Sequence, residues 1–91
     1  MTVTVKVPTI LRTHTEGASV VEGDPGTLAE LLEALEERYP GLTRRLRADG
    51  GGLSRFVNVY VNDEDARLLG ALEASVADGD TVSLIPAVAG G

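Results

Sequence analysis

The chain has 91 residues, enough for one domain and too few for two hydrophobic cores. Hydrophobic residues make up 43% and aromatic residues 3%, so the core must be mainly aliphatic, and the absence of cysteine excludes disulfides and thiolate catalysis. A net charge of -6 argues against nucleic-acid binding and fits either general solubility or an acidic face for a basic partner. The apolar runs are too short to span a bilayer, so no membrane association is expected. The chain does not open with a secretion leader, and we therefore expect a cytoplasmic location.

The first half of the chain predicts two strands and a helix. Residues 2–7 alternate between valine and polar side chains, as in a half-buried strand, and residues 18–21 supply a second strand across a longish loop. Thr27 and Glu30 have the spacing of a capping box, so a helix is expected to begin there. Pro40 and Gly41 should stop it. Five large residues fall on one side of that helix: Leu28, Leu31, Leu32, Leu35 and Tyr39.

The second half predicts a short helical turn at 42–47, a glycine-rich loop at 49–52 and two further strands. Residues 56–62 alternate, with Val57, Val59 and Val61 on one face. A polar turn follows at 62–65, and a tight turn at 78–80 precedes the last strand, 81–85, which Pro86 ends. This order predicts an α+β fold in which one main helix covers a mixed sheet of four or five strands. The ubiquitin-like β-grasp is the obvious candidate, with a domain at 1–86 and a flexible tail at 87–91.

Motifs typical of enzymes are missing from the sequence, including phosphate-binding loops and zinc-protease signatures. His14 is the only histidine, and a single histidine without a second soft ligand cannot make a conventional zinc site. Asp63, Glu64 and Asp65 could hold a cation in principle, but adjacent carboxylates on a turn are more often solvated or contact a partner. We therefore expect no catalytic residues, no bound metal and no bound cofactor.

The C-terminal segment is the part of the sequence that best fits a chemical role. Ala87, Val88, Ala89, Gly90 and Gly91 contain no large side chain, so this tail can thread a narrow channel in a partner's active site. Its one reactive group is the Gly91 carboxylate, which is a poor electrophile until a partner activates it. Adenylation with ATP, followed by sulfur attack, would give a thiocarboxylate. The alternative is a frayed terminus with no role.

Three segments resemble the MoaD/ThiS superfamily of sulfur carriers. They are residues 7–12 (VPTILR), 55–65 (RFVNVYVNDED) and 78–91, in which DGDTV and IPAVAGG carry the match. Within that superfamily the 55–65 run is similar to the CysO-type carriers of actinobacteria. The resemblance implies a β-grasp fold, a thiocarboxylate on Gly91 and loading by an ATP-dependent, E1-like adenylating sulfurtransferase. It also implies a PLP-dependent cysteine synthase as sulfur acceptor, with a zinc-dependent peptidase releasing cysteine, or a thiosugar synthase in an antibiotic pathway.

Three alternatives stay open at this point. The chain could be a ubiquitin-like modifier conjugated through Gly91 to lysines, the small subunit of molybdopterin synthase, or an interaction module with an incidental tail. In each case we predict that Phe56, Asn58 and Tyr60, together with Asn62, lie on the sheet face away from the helix. Phe56 and Tyr60 would then form an exposed apolar patch, and we predict that Phe56, Asn58 and Tyr60 dock a partner.

Overall fold

The computed structural model describes residues 2–46, residue 53 and residues 57–86. One α-helix, α1 (Leu28–Arg38), accompanies seven strands in the described part of the chain. The strands are β1 (Val3–Lys6), β2 (Val20–Gly23), β3 (Gly26–Thr27), β4 (Val57–Val61), β5 (Glu64–Asp65), β6 (Ser75–Val76) and β7 (Thr81–Pro86). Short 3-10 helices lie at Thr9–Thr15, Thr43–Arg45, Ala66–Leu69 and Ala71–Glu73.

Five of the strands form one mixed sheet in the order β2-β1-β7-β4-β5. Its two central strands, β1 and β7, are parallel, while β2 and β4 flank them in antiparallel pairs. The remaining strands, β3 and β6, form a separate antiparallel pair. This is the predicted α+β arrangement of a mixed sheet with one main helix, and β7 lies at its centre.

The connection between β1 and β2 differs from the expected plain loop. Residues Thr9–Thr15 form a 3-10 helix that ends in two left-handed residues, Glu16 (φ 56°) and Gly17 (φ 89°). The buried Thr15 hydroxyl bonds to the carbonyl oxygen of Ala18 at 2.8 Å. Because Ala18 belongs to this closed turn, the second strand begins two residues later than predicted.

Helix α1 follows the sequence prediction closely. The Thr27 hydroxyl accepts from the Glu30 N–H (3.1 Å) and the Glu30 carboxylate accepts from the Thr27 N–H (2.9 Å), which confirms the capping box. Its last regular bond runs from the Tyr39 N–H to the Leu35 carbonyl, and Gly41 turns the chain away with φ 93°. The predicted stop at 40–41 is therefore confirmed.

The core lies between α1 and one face of the five-stranded sheet. The helix contributes four buried leucines, and each sheet strand longer than two residues contributes alternate side chains. Val57, Val59 and Val61 are buried, as the alternation in β4 predicts. The largest fully buried side chains are Leu11, Leu28, Leu31, Leu32, Leu35, Leu42, Leu46, Val3, Val5, Val57, Val59 and Val82.

The polar turn predicted at 62–65 is shorter than expected. Asn62 and Asp63 are both left-handed (φ 50° and 72°), which is the geometry of a two-residue hairpin turn, and Glu64 already pairs with Val61. The Asn62 amide bonds to Asp80 Oδ1 at 2.8 Å and its oxygen accepts from the Thr81 N–H at 2.9 Å. These bonds tie together the turns that precede β5 and β7.

Candidate functional site

The candidate site begins where β7 ends. Pro86 is paired with Val57 of β4, and β7 is held on its other side by β1. The predicted reactive residue, Gly91, and the predicted tail residues Ala87, Val88, Ala89 and Gly90 follow directly, but lie outside the described residues. The structure therefore fixes the position from which the last five residues start.

Two of the three predicted docking residues are described, and Phe56 is not. Asn58 and Tyr60 are partly exposed, and they alternate in β4 with buried valines. They consequently lie on the sheet face opposite α1, where the alternation predicts them. Their role in docking stays a prediction.

Sequence reasoning missed Ile85, the residue that stands directly opposite Asn58 on the same face. Its side chain is 46% exposed although it is large and apolar. The alternation along β7 could have predicted this position, because Val82 and Leu84 point to the core and Ser83 and Ile85 to the opposite face. We refer below to Asn58, Tyr60, Ser83 and Ile85 as the docking face.

Charged groups border the docking face on both sides. The Arg67 guanidinium donates to Asn58 Oδ1 at 3.2 Å and forms an ion pair with Asp65 at 3.8 Å. On the opposite side, Lys6 of β1 lies beside Ser83, which in turn lies beside Tyr60. The outer surface of α1 carries more acidic groups, with Glu30, Glu33 and Glu37 all exposed. The docking face is thus bordered by the Lys6 ammonium on one side and by the Arg67–Asp65 ion pair on the other.

The most constrained carboxylate of the described residues lies at the other end of the helix. Glu36 Oε2 accepts from the Gly41 N–H (2.7 Å), while Oε1 accepts from the Thr43 N–H (3.1 Å) and the Thr43 hydroxyl (2.7 Å). These bonds lower the pKa of Glu36 below its usual 4.5, and the bond from the Gly41 N–H has the largest effect. Glu36 therefore holds the chain that leaves α1 in place.

The structure places His14 against that same turn. A Cβ atom at Gly41 would lie 3.0 Å from His14 Nδ1, so the ring packs closely on the backbone there. Within the described ranges, no three His, Cys, Asp or Glu side chains are grouped so that they could hold a metal ion. In the same ranges, no helix is long and apolar enough to cross a bilayer.

Comparison with known proteins identifies the family. A model of the ThiS family matches residues 5–91, which includes all of β7 and the tail that follows it. The chain belongs to the ThiS family. Sulfur carrier protein CysO of Mycobacterium tuberculosis is 50% identical over an alignment of 93 residues that covers all of both chains.

Two further relatives bear on function. The crystal structure of the BexX/CysO complex from Amycolatopsis orientalis superposes with a TM-score of 0.90 at 54% identity, over 98% of this chain and 99% of that chain. Small archaeal modifier protein 3 of Haloferax volcanii is 40% identical over 68 residues, which are 75% of this chain and 73% of the modifier. These curated relatives are named carriers or modifiers, and neither name describes a catalyst. That agrees with the prediction that the chain is a carrier and not itself an enzyme.

Proposed function

We propose that this protein carries sulfur as a thiocarboxylate on Gly91. The observation that supports this most is the likeness to CysO sulfur carrier proteins along the whole chain, together with a family match that extends to the last residue. The chain has no cysteine, so a sulfur atom cannot be held on a side-chain thiol. The C-terminal carboxylate is then the position where sulfur can be bound covalently.

Loading requires two steps, because a carboxylate does not react with sulfide directly. An E1-like partner first transfers AMP from ATP to the Gly91 carboxylate, releasing pyrophosphate. A sulfur nucleophile then attacks the acyl carbon, the C–S bond forms and AMP leaves. The resulting thiocarboxylate is anionic and nucleophilic, so the carrier delivers sulfur without releasing free sulfide.

The fold supports this proposal by fixing the start of the tail. Because Pro86 is paired with Val57 of β4, and β1 holds β7 on its other side as far as Ser83, the start of the tail has a defined position beside the docking face. A partner that binds Asn58, Tyr60 and, by the sequence prediction, Phe56 would hold the tail at the entrance of its active site. Binding energy from the folded domain would then orient the reacting acyl group.

The acceptor follows from the same likeness. We propose cysteine biosynthesis as the main use of the sulfur, with a PLP-dependent cysteine synthase as acceptor and a zinc-dependent peptidase that releases the product. We propose a thiosugar synthase as the second acceptor, and the complex of a 54% identical CysO with BexX supports the binding of a partner protein. Molybdopterin synthesis is the third.

The test is intact-mass spectrometry after incubation with ATP, sulfide and a candidate activating enzyme. We expect a species about 16 Da heavier, since sulfur replaces one oxygen of the terminal carboxylate in the acyl product. A variant that lacks Gly91 is the control and should show no gain. If the full chain stays unchanged with an enzyme that loads the M. tuberculosis CysO, or if the shortened chain still transfers sulfur, the proposal is wrong.

A second candidate function is conjugation to lysines of other proteins. The 40% identity to a small archaeal modifier protein favours it, and it uses the same activated carboxylate. The two functions differ in their products. A carrier yields the sulfur-for-oxygen mass change, whereas a modifier yields covalent adducts of much higher mass that resist reducing agents.

A further inference from the structure

The edge strand β2 directs backbone hydrogen-bonding groups away from the sheet. In the neighbouring strand β1, the Thr4 N–H bonds to the Asp80 carbonyl, so the Thr4 backbone faces β7 and not β2. Glu22, which is paired with Thr4, therefore turns its own N–H and carbonyl outward. Val20 lies two residues earlier and has the same orientation, because backbone direction alternates along a strand. β2 thus presents the backbone groups of two residues at the edge of the sheet.

Arg38 occupies one of these outward groups. From the last turn of α1, its Nη1 donates to the Glu22 carbonyl at 2.7 Å. The guanidinium lies over the Tyr39 ring, 5.3 Å from the ring centroid, and Nη2 is 3.5 Å from the Tyr39 hydroxyl oxygen. Arg38 is exposed and forms no ion pair within the described ranges. The side chain therefore crosses from the helix to the strand edge and satisfies one carbonyl there.

The other outward groups of β2 are the Val20 N–H, the Val20 carbonyl and the Glu22 N–H. They have no partner among the residues that the structure describes. The Val20 side chain is 49% exposed although it is apolar. An edge strand with free backbone groups can pair with another strand. The opposite edge strand, β5, has only two residues, both acidic, so β2 is the edge that is better able to accept a further strand.

A second copy of this chain matches the β2 edge. Two antiparallel copies can be placed about a twofold axis at Val21, so that Val20 of each copy lies opposite Glu22 of the other. Each of these two residue pairs then exchanges two N–H to carbonyl bonds, which uses all the outward groups of both edges. One bond in each pair runs from the Val20 N–H to the Glu22 carbonyl, the acceptor to which Arg38 donates in the single chain.

Charge complementarity also favours a second copy. On the outer face of the sheet, Lys6 is paired with Val20, and Val20 would be paired with Glu22 of the other copy. The Lys6 and Glu22 backbones would then be two strand spacings apart, about 10 Å, which the two side chains can bridge. Lys6 and Glu22 are both exposed, and neither forms an ion pair with the described residues. The symmetric arrangement would therefore gain two ion pairs.

We propose that the β2 edge is a self-association surface whose affinity is limited by Arg38, because the guanidinium holds the carbonyl that the strand of a second copy needs. Two of these bonds, one in each copy, are broken before the edges pair. Arg38 therefore keeps the unmodified chain mainly monomeric, as charged side chains on edge strands do in other sheets. The inference uses only the edge strand and the end of α1, so it does not rest on the proposed function.

The test compares the self-association of three proteins by sedimentation equilibrium. In Arg38→Ala the Glu22 carbonyl is free, and we expect the dimer dissociation constant to be at least about tenfold lower than that of the unmodified chain. Arg44→Ala is the matched control, because it removes the same charge from another exposed position and leaves the Arg38 bond in place. It should associate like the unmodified chain. Equal constants for Arg38→Ala and the unmodified chain, equal constants for the two variants, or an Arg38→Ala protein that is monomeric at about 1 mM would each overturn the proposal.

A further variant and amide hydrogen exchange locate the contact. Val20→Pro, added to Arg38→Ala, removes an N–H that does not pair with β1, at the first residue of β2, where proline is compatible with a sheet. We expect this protein to stay folded and to be monomeric. In the Arg38→Ala dimer, the Val20 and Glu22 amides should exchange more slowly at high than at low protein concentration. A dimer that persists with Val20→Pro, or protection confined to other amides, would contradict pairing through β2; if Val20→Pro prevents folding, the exchange comparison decides.

Discussion

On the helix side of β7, Leu84 is 3% exposed, whereas its neighbour Ile85 on the other side is 46% exposed. The same contrast holds in β4 between the buried valines and the partly exposed Asn58 and Tyr60. Two adjacent residues of one strand thus belong to different regions, the core and the docking face. Because strand side chains alternate, substitutions can change stability and partner binding separately.

The largest effect is expected from truncating the two neighbours in β7. Leu84→Ala removes buried methyl groups from the core, so we expect a loss of about 2 to 4 kcal/mol in the free energy of unfolding. Ile85→Ala, the matched control, removes a half-exposed side chain and should cost less than about 1 kcal/mol. Chemical denaturation of both variants checks this. Equal losses would contradict the assignment of Leu84 to the core and Ile85 to the exposed face, and a larger loss for Ile85→Ala would mean that the two faces are reversed.

For partner binding, in contrast to stability, we expect the larger effect from a substitution on the docking face. Tyr60→Glu places a charge on the docking face, and we expect affinity for a CysO-binding partner, tested with purified BexX, to fall at least about tenfold. The free energy of unfolding should change by less than about 1 kcal/mol. Calorimetric titration gives the affinity. Glu33→Lys, on the exposed side of α1, serves as the control and should bind normally; a loss in both variants would place the interface elsewhere.

A moderate effect is expected at the far end of the helix. Glu36→Gln weakens three hydrogen bonds to Gly41 and Thr43, so we expect a loss of about 1 kcal/mol in the free energy of unfolding. Glu37→Gln alters an exposed neighbour and should be close to neutral. Neither change should affect sulfur loading. A loading defect in the Glu36 variant with intact stability would contradict the structural role of this carboxylate.

The smallest effect concerns the pH dependence of stability. The pKa of Glu36 is lower in the folded protein than its usual 4.5, so its stabilising contribution is complete above pH 4.5. It is lost as the pH falls through the lowered pKa, because the unfolded chain takes up the proton more readily. Unfolding curves should therefore show a steeper acid decline for the unmodified protein than for Glu36→Gln. Parallel curves would show that Glu36 does not contribute.

The family was predicted from the resemblance of three segments spread along the chain, whereas the helix and the strand alternation could be predicted because their signals are local. Thr27 and Glu30 make a capping box through bonds within four residues, and the valine alternation in β4 needs only the strand period. The 3-10 helix at Thr9–Thr15 could not be predicted, since Thr15 is held by contacts that form only when the turn closes. The docking face was predicted for Asn58 and Tyr60, but Ile85 was assigned only to a strand and not to a face.

The sequence by itself determined the helix, the alternation of the strands and the absence of a cysteine thiol, and it predicts a reactive carboxylate at Gly91. The tertiary structure decided which distant residues stand side by side. Parallel pairing of β1 with β7 joins residues almost 80 positions apart in the chain and brings Lys6 to the end of the sheet where the tail begins. Such pairing depends on strand order and register, which come from packing both strands against α1, and no local pattern encodes it.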